Sequence, residues 1–281
     1  MNRLRITHRT GFHYEGEVTA SYNEARMLPV SSENQFVLYS NLDIQPKPGH
    51  HTYVDYFGTR VSSFEILSPH RSLELTATSL VEVRPRAHEP HQLGWDDLAV
   101  EVERATEHVE QVAQTARTAP HEEVVALAEE IAGGAGTPCE AATEIARAIG
   151  ERVEYMAGVT SVQSTAREAW EQGRGVCQDI THIVIGALRH VGIPARYVSG
   201  YLHPKPNAAV GETVTGESHA WVEWYCGEWR GWDPTNLIDI GDRHVLVGRG
   251  RDYRDVAPLR GIYAGPFRSK LFVRVEITRE S

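Results

Sequence analysis

Apolar and polar positions alternate from the start of the chain. Leu4, Ile6, Phe12 and Tyr14 share one side of a period-two pattern across residues 3–14, which predicts a half-buried strand. Further strand-like runs follow at 36–44, 52–57, 60–67 and 73–83, separated by turn signals such as Pro46-Lys47-Pro48-Gly49 and Phe57-Gly58. Short strands at this spacing predict an antiparallel β-domain. Pro85 and Pro90 then punctuate the chain, and the boundary of a first domain, residues 1–90, is placed there.

The period changes next. Leu98, Val102, Ala105, Val109 and Val112 recur every three or four residues, which predicts a helix. Residues 121–132 and 139–152 read as helices too, parted by Gly133-Gly134-Ala135-Gly136, with Pro138 placed to open the second at its first turn. After the loop Gly173-Arg174-Gly175, the residues Ile180, Ile183, Val184, Ala187, Leu188 and Val191 keep helical spacing, and Gly192-Ile193-Pro194 stops the helix. A strand is expected at 196–201. An antiparallel pair is expected at 219–225 and 228–233, joined through Cys226-Gly227, and a last strand at 271–277. The fold class is therefore α+β: the β-domain, then a helical connection and core over residues 91–281.

Composition narrows the function. The net charge is −10 and no Lys/Arg cluster stands out, so a nucleic-acid binder is excluded for want of a basic face. The first residues carry no apolar run of signal-peptide length and no stretch approaches a membrane span. A cytoplasmic protein is the expectation, with no membrane partner. Cys139, Cys177 and Cys226 are the three cysteines. Three scattered cysteines make no disulfide framework, so each reads first as a small buried hydrophobe. No Cys-x-x-Cys pair or calcium-loop pattern occurs, and neither a metal nor a cofactor is expected.

Three residues suggest chemistry. Cys177 stands at the predicted start of a buried helix, where unpaired N–H groups and the helix dipole favour a thiolate. A thiolate needs a base, and the base needs an orienting group. His219 lies in the alternating stretch Ser218-His219-Ala220-Trp221-Val222-Glu223-Trp224, and Asp233 lies in Gly231-Trp232-Asp233-Pro234-Thr235-Asn236. A hairpin between the two strands would bring Asp233 beside His219, where it could hold the imidazole in one tautomer.

Gly175-Val176-Cys177-Gln178-Asp179, Ser218-His219-Ala220-Trp221-Val222-Glu223 and Asp233-Pro234-Thr235-Asn236, in this order, resemble the bacterial branch of the transglutaminase-like superfamily. Residues 1–85 resemble its N-terminal β-domain. The segment Gly248-Arg249-Gly250-Arg251-Asp252-Tyr253 resembles the stretch after its triad. The resemblance implies a papain-like core with Cys177, His219 and Asp233 as catalytic triad, acting on a protein or peptide substrate through a thioester. One departure is Gln178, where animal transglutaminases have Trp; their calcium loops have no counterpart here either.

The expected activity is amide hydrolysis by a transglutaminase-like cysteine peptidase. Protein-glutamine acyl transfer to amines is the alternative, and a non-catalytic binding module the second. Trp221, Trp224, Trp229 and Trp232 could wall an amine channel. The backbone N–H of Cys177 should serve the oxyanion, with Tyr155, Gln163, Trp170 and Gln172 as possible second donors. Asp179 reads as a complement to the helix dipole. A metal site from Cys177, His182 and His219 is disfavoured, since positions five apart on a helix do not share a face.

Overall fold

A computed structural model describes residues 1–85, 93–216 and 218–281; the boundary expected near residue 90 lies outside them. Six strands come first: β1 (Asn2–Val18), β2 (Ala20–Ala25), β3 (Gln35–Gln45), β4 (Gly49–Val54), β5 (Arg60–Ile66) and β6 (His70–Val83). Helices α1 (Trp95–Arg104), α2 (Val109–Val112), α3 (Glu122–Gly134) and α4 (Pro138–Arg152) follow. Next are β7 (Glu154–Tyr155), α5 (Ala166–Gln172), β8 (Arg174–Gly175) and α6 (Cys177–His190). The chain continues through β9 (Ala195–Leu202), β10 (Thr213–Gly216), β11 (Ser218–Tyr225), β12 (Trp229–Asp233), β13 (Ile238–Asp239) and β14 (His244–Gly250). It ends with α7 (Tyr253–Val256), β15 (Leu259–Ala264) and β16 (Ser269–Arg279). The class is α+β, with antiparallel main sheets.

Two expected elements differ in extent. The helix predicted across Leu98 to Val112 breaks at Ala105, whose backbone is extended, and Val109 beyond the break is 59% exposed. Its apolar spacing bridges two helices rather than one face. The strand expected at 52–57 ends at Val54, because the Asp55 carboxylate accepts from the N–H groups of Phe57 and Thr59 and closes a turn.

One helix and two sheets position the site. The central sheet has the order β13-β12-β11-β9-β14. Helix α6 covers one face, buried along its length from Gln178 to Arg189, and its Ile180, Ile183, Val184 and Ala187 pack with Ala220, Val222 and Trp224 of β11. Beyond the helix, Tyr201, Val245 and Val247 pack against Leu4, Ile6, Val81, Val275 and Ile277. The latter five belong to the sheet β10-β16-β1-β6-β3, which packs in turn on β15-β2-β5-β4. The opposite face of the central sheet carries Val198, Trp221 and Leu246. The last strand, β16, pairs along β1 from Leu4↔Arg279 to Tyr14↔Ser269. The two ends of the chain are thus built into one sheet.

Partly buried charge ties the central strands together. Glu223 on β11 accepts from Arg196 on β9 at 2.7 Å and from Arg249 on β14 at 2.8 and 3.1 Å. Burial alone would raise the Glu223 pKa, but the two guanidiniums hold it at about 2.

One expectation is corrected here. Cys139, at the start of α4, and Cys226, in the β11–β12 turn, are not separate buried thiols but a disulfide with Cα atoms 5.6 Å apart. Their sequence separation of 87 hides the pairing; it arises only because α4 and the hairpin share one core. No helix among the described residues is long and apolar enough to cross a membrane.

Candidate active site

Cys177 is the first residue of α6, and it is the free cysteine. The N–H groups of a first helical turn have no upstream carbonyl to accept them. The segment that delivers it is held by the parallel pair of β7 and β8, where Tyr155 stands opposite Gly175. Gly175 is required by space: a Cβ there would lie 2.8 Å from Asp179 Cβ. Asp179 does complement the helix start. Its Oδ2 accepts from the Val176 N–H at 2.9 Å and from Thr160 Oγ1 at 2.6 Å.

The hairpin forms as expected. The register Val222↔Trp232 of β11 and β12 brings Asp233 back towards His219, and His219 Nε2 lies 2.7 Å from Asp233 Oδ2. Cys177 and His219 line the same cavity, and the two interact electrostatically. Burial would lower the His219 pKa, but the bond to Asp233 and the interaction with Cys177 outweigh it and raise it to about 10. Burial would raise the Asp233 carboxyl, yet His219, His244 and Asn236 hold it far below the usual carboxylate range. Asp233 is fully buried, and every bond it accepts favours its charged form. Oδ1 accepts from the Thr235 and Asn236 N–H groups at 3.0 and 3.1 Å, and Oδ2 from Asn236 Nδ2 at 2.8 Å.

His244 is the residue that sequence reasoning missed. It sits at the start of β14, buried, with Nε2 3.3 Å from Asp233 Oδ2. Its Nδ1 accepts from the Gly241 N–H at 3.2 Å, so the ring proton is on Nε2 and points at Asp233. No motif marks it; only the pairing of β14 with β9 brings it in. His182 lies elsewhere: its Nε2 accepts from the Tyr253 N–H at 3.1 Å, and it takes no part in a cluster with Cys177.

These shifts predict a pH dependence. A group whose pKa rises on folding contributes stability below its unfolded value and loses that contribution as pH rises through the folded value. For His219 the window runs from about 6.5, the ordinary histidine value, to about 10. The urea midpoint of the protein should fall between pH 7 and 10, and that slope should flatten in His219→Gln. Equal slopes in both proteins would remove the imidazolium from the site.

Ring nitrogens of His219 and His244 and an oxygen of Asp233 lie within 4.8 Å of one another, a set that could in principle bind a metal ion. The distances fit hydrogen bonds better. Two ligands about 2.0 Å from a tetrahedral zinc stand over about 3 Å apart, whereas His219 and Asp233 are 2.7 Å apart. Exhaustive EDTA treatment should leave activity unchanged; loss on chelation with recovery on adding zinc or calcium would show a metal centre instead.

A cavity of about 230 Å³ opens at Cys177 and His219. Tyr155, Tyr197 and Tyr253 are its aromatic walls, and His8, Thr10, Leu271 and Val273 reach it from β1 and β16. Of the four residues weighed as a second oxyanion donor, Tyr155 lines this cavity. Trp170 instead donates to Glu123 and Gln163 accepts from Arg117, while Gln172 lies exposed at the end of α5. Gln178 also lines the cavity, is 7% exposed, and its Nε2 has no hydrogen-bond partner among the described residues. The tryptophans weighed as a channel wall are not in this lining; Trp221, Trp224 and Trp232 are buried.

Comparison with known proteins agrees with this architecture. Residues 4–82 match the bacterial transglutaminase-like N-terminal region, and residues 125–235 match the transglutaminase-like superfamily. The uncharacterized protein ML0607 of Mycobacterium leprae is 42% identical over 280 residues, covering 99% of each chain. The chain belongs to the transglutaminase-like superfamily. A second relative, the uncharacterized protein Rv2569c of Mycobacterium tuberculosis, is 32% identical over 98% of this chain and 92% of its own. The crystal structure of a "putative cysteine protease" from Cytophaga hutchinsonii superposes with a TM-score of 0.77 at 20% identity, covering 100% of this chain and 92% of that one. That likeness concerns the fold. It spans both the N-terminal sheets and the core of this member of the superfamily.

Proposed function

We propose that this protein is a thiol enzyme that cleaves amide bonds, with Cys177 as nucleophile, His219 as acid and base, and Asp233 as the group that orients His219. The observation that carries this reading is one arrangement: a free thiol at a helix start, beside an imidazole that is itself held by a buried, fully hydrogen-bonded carboxylate. In the first step the Cys177 sulfur attacks the amide carbon. The carbon–nitrogen bond breaks, and His219 delivers its proton to the leaving amine, leaving an acyl thioester. Water then attacks the thioester; His219 takes its proton, the acid product leaves and the thiolate is restored. The oxyanion would accept from the Cys177 N–H at the helix start, with the side-chain amide of Gln178, which lines the same cavity, as the second donor.

Hydrolysis is preferred over transfer because water reaches the thiol. Cys177 is partly exposed, and Tyr155, Leu271 and Val273 at the mouth of its cavity are each 49% exposed. A transferase must hold an amine against water in large excess and needs a closed, dry channel. The test is partition: a glutamine-containing peptide is incubated with a labelled primary amine at millimolar concentration. Released acid should far exceed labelled adduct; predominance of adduct would make the protein a transglutaminase. The Cys139–Cys226 disulfide bears on the expected cytoplasmic location, since disulfides persist mainly in oxidising compartments.

A further inference from the structure

A second cleft adjoins the cavity at Cys177 and shares Val162, Tyr253, Leu259 and Leu271 with it. The chain carries a net charge of −10, yet among the described residues this cleft is lined by Arg117, Arg254 and Arg260 and by no Asp or Glu. The local sign is the reverse of the global one. Arg260 is neutralised by Glu24, which it meets through two bonds of 2.9 and 2.7 Å. The other two arginines are not neutralised in this way.

Arg117 is 8% exposed. Its guanidinium donates to the carbonyl of Val162 at 2.5 Å, to that of Ser164 at 3.5 Å and to Gln163 Oε1 at 2.8 Å, all neutral oxygens, and its Nε has no hydrogen-bond partner among the described residues. A buried cation without an anion is costly, and neutral acceptors offset only part of the lost hydration. Arg254 is exposed, and its guanidinium makes no hydrogen bond or ion pair among the described residues. A planar fork of N–H donors matches a carboxylate better than any neutral group.

We propose that this cleft is a carboxylate-binding subsite, with Arg117 and Arg254 as the residues that hold the anion. It selects acyl donors that carry a carboxylate close to the scissile amide. This rests on the reading of Cys177 as the nucleophile, which fixes where the amide lies. The carboxylate could belong to an acidic side chain or to the C-terminus of a short peptide.

Three peptides with the same scissile amide separate the cases: one with a neighbouring Glu and an amidated end, one with Gln and a free C-terminal carboxylate, and one with Gln and an amidated end. At low salt, kcat/KM for one of the first two should exceed that of the neutral peptide by about tenfold or more, the size expected of a charge-assisted bond. The winning arm says which carboxylate is read, and the preference should shrink as salt screens it. Arg254→Gln should bring the ratio close to one, and Arg117→Gln should do the same. Arg117 also pins residues 162–164, so folding of that variant is checked by thermal melting and the exposed Arg254 carries the decision if it fails to fold. Arg147→Gln, which removes an exposed charge on α4 outside the cleft, should keep the ratio. Equal turnover of all three peptides, or a preference that survives Arg254→Gln, overturns the subsite. Should no peptide be turned over, anisotropy binding of the same three to Cys177→Ala makes the same comparison. Equal binding there overturns the subsite, and tighter binding of an acidic peptide supports it even though the hydrolase reading has failed.

Discussion

Cys177→Ala is expected to lower kcat/KM for any acyl donor by on the order of a millionfold, as loss of the nucleophile does where a triad acts as a unit. The fold should survive. Cys177 is partly exposed at the first position of α6, and alanine is a good helix former there. The helix is anchored by Ile180, Ile183 and Val184 against the sheet rather than by the thiol. Kinetics with parallel thermal melting check both halves of the expectation. Substantial residual turnover in a folded Cys177→Ala protein would move the chemistry to another group.

Asp233→Asn should cost on the order of 10⁴ in kcat, by analogy with hydrolase triads that lose their orienting carboxylate. The local reason is specific. Asp233 accepts two backbone N–H groups on Oδ1, and on Oδ2 it meets Asn236 Nδ2 and the ring nitrogens of His219 and His244. An amide in that place turns one acceptor into a donor that faces donors. Because His244 Nδ1 is held by the Gly241 N–H, that ring cannot turn its own proton away without leaving Gly241 unpaired. The imidazolium of His219 loses its counter-charge, and its pKa should drop from about 10 towards the ordinary range. The measurement is kcat/KM together with the His219 ring titration by NMR. Full activity and an unmoved His219 titration in the Asp233→Asn protein would exclude Asp233 from the role.

What was legible in the sequence divides along physical lines. Local features could be read: the period-two strands, the buried helix after Gly175, the Pro138 helix start, and the hairpin that returns Asp233 to His219. Each depends on residues close together in the chain, and Thr137 at the cap with Pro138 at the first turn shows how completely a local signal can specify an element. The features that escaped depend on distant segments meeting. His244 reaches Asp233 only because β14 adds to β9. Cys139 meets Cys226 across 87 residues. His8 and Thr10 share the inward face of β1 with Leu4 and Ile6, and they reach the cavity because β1 pairs with β16 at its mouth. The helix predicted across Leu98–Val112 failed for the converse reason: its spacing was right, but an extended residue at Ala105 separates the two runs.

The central claim is that the Cys177 sulfur carries the acyl group of an amide substrate. The most direct test is intact-protein and peptide mass spectrometry after rapid acid quench of the enzyme with a saturating activated acyl donor. A mass increase equal to the acyl group, located on the tryptic peptide that contains Cys177, labile to hydroxylamine and lacking in Cys177→Ala, is the predicted result. Turnover with no adduct on Cys177 at any quench time, or an adduct that persists in Cys177→Ala, would contradict the account.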